Sequence, residues 1–333
     1  MEMKMKRLGY SDLYLTPIGL GAWTFGGGGW KGGFGQQDDS DSIATIHCAL
    51  DLGVNWIDTA PYYGLGHADE IVGRAIVGRR DKVIIASKCG TVWDEGNTNV
   101  SETLKADSVR REVEASLRRL GVDVIDLYQI HWPEPAEEIE EAWGVIADLI
   151  REGKVRYGGV SNFNVEQHKR LQPMHPIASS QPAYNMLLRD IEKDVLPFCQ
   201  ENKIGVIVYW ALMAGLLSGK FTKERASSLS DDDWRQGRYY FTEPALSATL
   251  LLVEGLRRVA DRNGRTVAQL AIAWVLRRPE VTAAILGARR PSQIQETIAA
   301  ADWILADEDL EEIEHLLEER KRMLPADWVD YRD

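Results

Sequence analysis

Five side chains able to do acid–base chemistry fall where short apolar runs stop: Asp58, Tyr62, Tyr63, Lys88 and His131. They make chemical sense as a group. A phenol has an ordinary pKa of about 10 and is a poor acid or base at neutral pH. A lysine ammonium beside it favours the phenolate and lowers that value, and a carboxylate paired with the lysine holds it in place and keeps it charged. The phenol then gives its proton to a carbonyl oxygen as a hydride reaches the carbon. A histidine beside the same oxygen adds a second hydrogen bond and completes a small oxyanion site. Residue chemistry alone does not choose between Tyr62 and Tyr63.

Such a group needs a scaffold that brings strand ends together. Short apolar runs predict eight strands, over 18–22, 55–58, 83–87, 124–130, 155–160, 178–181, 205–209 and 283–286. Helical patterns follow them at 39–52, 67–78, 106–120, 136–152, 165–171, 190–202, 248–263 and 292–301, with extra helices at 267–278 and 307–320. Leu120-Gly121 is a helix stop, whereas Gly73 and Gly144 weaken the patterns they interrupt. Residues 7–16 predict a small β-hairpin before the first strand. Alternation of mostly apolar strands with helices predicts a parallel sheet closed into a (β/α)8 TIM barrel, one domain over residues 1–333. The alternative, an open doubly wound sheet, lacks its fingerprint: neither 19–24 nor 64–69 completes GxGxxG. Residues 212–247 form a long segment after the seventh strand, a length usually reserved for function.

In a (β/α)8 barrel, chemistry gathers at the C-terminal ends of the strands. Strand two stops at Asp58, three at Lys88, four at His131, five at Ser161-Asn162, six at Gln181 and seven at Tyr209. Each has a plain structural explanation taken singly: Asp58 or Ser161 as a cap, Lys88 as a solvated charge, His131 as a hydrogen-bonded core residue, the tyrosines as packing. Six consecutive strands ending in polar groups at one face are hard to attribute to solvation.

These motifs resemble the aldo-keto reductase superfamily. Asn55-Trp56-Ile57-Asp58-Thr59-Ala60-Pro61-Tyr62-Tyr63-Gly64 is similar to its signature, with Asp and Tyr five apart, and this spacing selects Tyr63. Lys88 follows the third strand as the family lysine does, and Tyr128-Gln129-Ile130-His131-Trp132 resembles the fourth-strand histidine motif. Gly158-Gly159-Val160-Ser161-Asn162-Phe163 looks like the nicotinamide-binding turn, and the segments Gly215–Lys220 and Gly287–Pro291 like the cofactor-phosphate segments. The likeness runs from about Arg7 to Trp303, with the motifs in family order. It implies a bacterial-type, NADPH-dependent reductase of aldehydes or ketones, with Tyr63 as general acid, Lys88 and Asp58 as its tuners and His131 as the donor that orients the carbonyl. Ser161, Asn162 and Gln181 would hold the nicotinamide carboxamide, and Tyr209 would stack under the ring. The remaining implied cofactor residues are Trp23, Asp58, Trp210, Leu212, Gly215, Ser218, Lys220, Gly287, Arg289 and Gln293. Arg289 and Arg290 suit a 2′-phosphate. The chain departs from the family in two places. Trp210-Ala211-Leu212 replaces Ser-Pro-Leu and removes a hydroxyl that reaches the pyrophosphate, and Thr297 stands for a common Asn. Both leave NAD open beside NADP.

Bulk properties bound the partners. The 333-residue chain is 44% hydrophobic and 27% charged, with a formal net charge of −12 and no Lys/Arg block. A nucleic acid or an anionic membrane is therefore a poor partner. Cys48, Cys89 and Cys199 show no CxxC spacing, so neither zinc nor a disulfide framework is expected, and reduced thiols point to the cytoplasm. The charged N-terminal stretch has no signal-peptide core, and no apolar run approaches a membrane span. Without an exposed apolar stripe, a monomer or weak homo-oligomer is expected. Trp23, Trp132 and Trp210 at strand ends suit a bulky or cyclic small-molecule carbonyl such as a keto-sugar or aldose. Trp30, Trp93 and Trp234 lie in loops and are expected to pack there, and Tyr239-Tyr240-Phe241 reads as a lid or its anchor. Two rivals remain: a Schiff-base aldolase using Lys88, and an NADPH-binding redox sensor or auxiliary subunit.

Overall fold

The computed structural model describes residues 3–94 and 100–328; the first two residues of the charged N-terminal stretch lie outside them. Eight parallel strands close into a barrel: β1 (Ile18–Gly21), β2 (Trp56–Asp58), β3 (Ile84–Cys89), β4 (Ile125–Ile130), β5 (Val155–Ser161), β6 (Ser179–Gln181), β7 (Gly205–Val208) and β8 (Val281–Gly287). Each strand pairs with the next, and β8 pairs back with β1. Closure makes this the (β/α)8 TIM barrel and removes the open-sheet alternative. All six residues of β4 are buried, because a strand walled by helices outside and by other strands' side chains inside has no wet face.

The inward side chains form their own core. Trp56, Ala86, Leu127, Ala178, Ile207, Ala283 and Ile285 pack with Leu8, Leu13 and Leu15. Those leucines belong to the expected hairpin, whose strands Lys6–Arg7 and Tyr14–Leu15 are antiparallel. The hairpin therefore plugs the N-terminal end of the barrel and leaves the other end for chemistry. Gly19 is part of this arrangement, since a Cβ there would lie 2.0 Å from the Trp56 ring.

Helix boundaries follow local signals. Helix Ala106–Leu120 ends where Gly121 takes φ 64°, its N–H returning to Leu117 and Arg118 carbonyls. Helix His67–Ala75 keeps Gly73 because a Cβ there would meet the Arg119 carbonyl at 2.6 Å, so the glycine allows close helix packing. The 190–202 pattern splits into a turn, Asp190–Glu192, and a helix, Val195–Glu201, capped by the Asp194 side chain. The 292–301 pattern is a helix only to Thr297 and then tightens into a 3₁₀ turn, Ile298–Ala300.

Two features were not anticipated. An antiparallel hairpin, Thr91–Trp93 with Val100–Glu102, follows β3; its three-residue strands carry too little pattern to read. The long segment after β7 contains the turn Met213–Ser218 and the helix Lys223–Ser227, and it crosses to the loop after β1. There Asp233 bridges Phe34 in antiparallel fashion, and Trp234 N donates to the Gly33 carbonyl at 2.9 Å. Among the described residues no helix is long and apolar enough to cross a membrane.

Candidate active site

The tetrad residues meet at the C-terminal mouth. Asp58 is the last residue of β2, and Tyr63 lies five residues on, before helix His67–Ala75. β3 runs past its expected end, so Lys88 is held inside a strand rather than after one. His131 directly follows β4. The Lys88 ammonium has no exposed surface. It donates to Asp58 Oδ2 at 2.7 Å, to the Thr59 carbonyl at 3.0 Å and to the Tyr63 hydroxyl oxygen at 3.1 Å. All three of its protons are thereby engaged. Because the Tyr63 oxygen accepts from Lys88, the phenol's own proton remains available to another acceptor.

Burial holds the Tyr63 phenol well above its usual range, with the Asp58 and Asp69 carboxylates and then the Tyr62 phenol acting in the same direction. A lysine beside a phenol is expected to lower it; in the structure desolvation and the neighbouring carboxylates outweigh Lys88. The resting phenol is thus firmly protonated. Burial lowers the Lys88 ammonium, against which the Asp58 carboxylate pulls upward. His131 is driven well below its usual value by burial and then by Lys88, so its imidazole is neutral at pH 7. Its ring meets the Tyr63 ring edge-on with centroids 5.9 Å apart.

The residues expected around the nicotinamide form one connected set. Gln181 Nε2 donates to Asp58 Oδ1 at 2.8 Å, and Ser161 Oγ donates to the Gln181 carbonyl at 2.8 Å. Asn162, at φ 64°, donates to the His131 carbonyl at 3.0 Å and accepts from the Tyr209 hydroxyl at 2.7 Å. An amide side chain tolerates that left-handed backbone better than most.

A single cavity of about 690 Å³ starts over Tyr63 and His131 and runs to Lys220, Arg289 and Gln293, within the size range of small-molecule sites. Every residue expected to bind cofactor except Arg290 lines it, from Trp23 and Asp58 through Trp210, Leu212, Gly215, Ser218 and Gly287 to Gln293. Gly215 takes φ 100°, a backbone that suits glycine. The cationic side chains on this wall, Lys31, Lys220, Arg225, Arg235, Arg238 and Arg289, outnumber Asp58, Glu102 and Glu296, in a chain of net charge −12.

The far end differs from expectation. Arg289 donates to Gln37 Oε1 at 2.7 Å, to the Phe34 carbonyl at 3.1 Å and to the Gln36 carbonyl. It therefore braces the loop after β1 as well as facing the cavity. Arg290 is mostly exposed and stands 3.7 Å from Asp41. Lys220 is paired with Glu296, whose Oε1 is buried without a partner. Sequence reading missed Glu296, Phe34, Glu102, Arg235 and Arg238; all lie on loops or short elements with no motif around them. It also expected Trp234 to pack within its own loop, yet that indole lines the cavity. Trp234 stacks between Trp23, at 5.4 Å and 19°, and Trp210, at 5.7 Å and 8°. Trp23 in turn lies parallel to Tyr63 at 6.1 Å. Trp30 packs away, donating to the Gly27 carbonyl, and Trp93 sits beside Arg119. Tyr240 and Phe241 are buried, and Tyr239 stacks on Trp328 at 3.8 Å, which suits an anchor for the long segment.

Fold and site together define an oxidoreductase barrel with a tyrosine–lysine–carboxylate centre. Residues 17–318 match the model of the aldo/keto reductase family, and the chain belongs to that family. It is 41% identical to aldo-keto reductase YhdN of Bacillus subtilis (strain 168), covering 95% of this chain and 94% of that one. It is 33% identical to an NADH-specific methylglyoxal reductase of Escherichia coli (strain K12), over 92% and 96%. Among solved structures, a glycerol dehydrogenase from Gluconobacter oxydans superposes with a TM-score of 0.86 at 38% identity, covering 97% of each chain.

Proposed function

We propose that the protein reduces aldehyde or ketone groups to alcohols, reversibly, with NADPH as its main cofactor. The observation that carries this reading is the Lys88 ammonium, buried and shared among Asp58, Thr59 and Tyr63. A substrate carbonyl oxygen placed between the Tyr63 hydroxyl and the neutral His131 ring accepts a hydrogen bond from each. When bound, the dihydronicotinamide supplies hydride to the carbonyl carbon. As negative charge grows on the oxygen, Tyr63 releases its proton to it, and Lys88 stabilises the phenolate left behind. Asp58 keeps Lys88 charged throughout. In the reverse direction the same phenolate takes the proton back.

The residues present fit a nicotinamide dinucleotide. The cationic wall matches a polyanion, and buried groups without partners there (Trp210 Nε1, Trp234 Nε1, Glu296 Oε1) cost free energy until a polar ligand relieves them. Ser161, Asn162 and Gln181 would hold the carboxamide and Tyr209 the ring face; the segment from Gly215 to Lys220 would hold the pyrophosphate, and Arg289 with Gln293 the adenosine end. NADH is a second cofactor to test, because a relative is NADH-specific and because Arg289 is already engaged and Lys220 already paired. The aromatic wall of Trp23, Trp210 and Trp234, with Tyr62 and Trp132, suits a cyclic or sugar-like carbonyl. An aldolase role is disfavoured, since a lysine with all three protons engaged and no exposed surface is a poor nucleophile.

The test is oxidation of NADPH, and of NADH in parallel, over a panel of linear, cyclic and sugar carbonyls. Turnover with cyclic or sugar carbonyls, faster with NADPH, is expected. Turnover of short aliphatic aldehydes alone would remove the substrate proposal. Tight NADPH binding with no turnover of any carbonyl would move the protein to a sensor role.

A further inference from the structure

Behind the tetrad, on the side away from the cavity, lies a second buried carboxylate. Asp69, in helix His67–Ala75, has no exposed surface. Its Oδ1 accepts from the Thr59 hydroxyl at 2.8 Å. Its Oδ2 accepts from Ser116 Oγ at 3.2 Å and from two nitrogens of Arg119 at 3.4 Å. Thr59 immediately follows Asp58, and its carbonyl accepts the Lys88 bond at 3.0 Å. One residue thus grips Lys88 with its backbone and Asp69 with its side chain. No step of the reaction described above uses Asp69.

We propose that Asp69 is a positioning residue for the tetrad: through Thr59 it fixes one acceptor of the Lys88 ammonium, and its buried negative charge acts on the Lys88–Tyr63 pair from behind. This rests on the carbonyl-reductase reading. A carboxylate sealed from water is an expensive group to keep ionised. Burial raises the Asp69 carboxyl above its usual range, and the Arg119 cation with the bonds from Thr59, Ser116 and Arg119 pulls back toward the carboxylate. Its field raises the proton affinity of Tyr63 and of Lys88 alike. The sign of its removal is therefore the same whichever of the coupled groups loses its proton first.

The groups facing this seam come from every element around it. Asp58 is on β2, Lys88 and Cys89 are on β3, and Tyr128 is on β4 with His131 beyond it. Tyr62 lies beside Tyr63, and Glu112, Ser116 and Arg119 come from helix Ala106–Leu120. Of these only Arg119 and Lys88 bring positive charge close to Asp69. An alternative is that Asp69 merely ties helix His67–Ala75 to helix Ala106–Leu120; that role lowers stability but leaves the proton chemistry alone.

The experiment is the pH profile of kcat for NADPH-dependent carbonyl reduction, with wild type, Asp69→Asn, Thr59→Val and Thr59→Ser, each checked for thermal stability and NADPH affinity. Asp69→Asn is expected to move the basic limb down by about half a unit or more, with NADPH affinity unchanged. Thr59→Val, which keeps the shape and the Asp69 charge but loses the hydroxyl, is expected to lower kcat about three- to tenfold at unchanged KM. Thr59→Ser is expected to restore it. A basic limb that stays put in a folded Asp69→Asn protein overturns the proposal. If that variant does not fold, a Thr59→Val enzyme with wild-type kcat overturns it instead. A wild type without carbonyl turnover removes the functional reading and this one together; a wild type with normal turnover and unmoved variants removes this one alone.

Discussion

At the tetrad end of the cavity, Asp58 and Lys88 lie within strands, His131 directly follows one, and Tyr63 sits in the short turn after β2, tied to Lys88; all four are nearly buried. At the far end, Arg289, Lys220 and Arg235 sit on loops; Arg289 and Arg235 reach the loop after β1, and Lys220 pairs with Glu296 in helix Pro291–Thr297. Arg235 is doubly paired with Asp233, donates to the Ala214 carbonyl and stands over the Phe34 ring at 5.0 Å; Arg289 reaches residues 34–37. The first end is held by the sheet's hydrogen-bond ladder, which fixes directions at the scale that proton transfer needs. The second is a strap held by contacts between separate segments, polar bonds together with the Phe34–Asp233 bridge and the stacked indoles of Trp23, Trp234 and Trp210. On the proposed reading, proton transfer would lie on and beside the barrel strands and the grip on a long ligand on the loops.

The comparison breaks most visibly at Lys88. Lys88→Met leaves Asp58 buried with Gln181 as its one remaining side-chain donor among the described residues. Breaking a buried pair on one side costs about 3–5 kcal/mol. Denaturant unfolding should show a loss of that order for Lys88→Met and a smaller one for Asp58→Asn combined with Lys88→Met. A single variant as stable as wild type would mean that the rigid end is not held by this pair.

Arg289→Met probes the strap. It should weaken NADPH binding about tenfold and NADH binding less than about threefold, with the barrel's stability unchanged. Equal losses for both cofactors would make Arg289 a brace for residues 34–37 and nothing more.

The fold was legible because barrel strands buried on both sides read as apolar runs with sharp ends, and all eight were located within two residues or so. The tetrad was legible for the same reason: strand ends mark the reactive face. Choosing Tyr63 over Tyr62 needed the resemblance, since both phenols flank the same point. The strap was not legible. Arg235 and Phe34 acquire their meaning from contacts between segments some two hundred residues apart, as in the Phe34–Asp233 bridge, and Glu296 from Lys220, 76 residues before it; no local period encodes either. The sign of the Tyr63 shift was also out of reach, because it depends on how deeply the ring is buried.

The smallest expected effect lies outside both ends. Burial pushes Glu112 up to about 7, against bonds from Gly90 N and Ser108 Oγ. A carboxyl whose folded value lies above its ordinary 4.5 binds more protons in the folded state between those values. Stability therefore falls as pH rises from 4.5 to 7 on its account. His131, held neutral, contributes the opposite slope below 6.5. Glu112→Gln should flatten the decline between pH 4.5 and 7 in a thermal-unfolding series, with little change in kcat. A steeper decline in the variant would contradict this assignment.

The central claim is that Tyr63 gives the proton, and it is tested most directly by Tyr63→Phe followed in two ways: NADPH binding by fluorescence, and the rate of carbonyl reduction. The account predicts unchanged NADPH affinity and a rate lower by about a hundred- to ten-thousandfold. A variant that binds NADPH and reduces carbonyls as fast as wild type would contradict it.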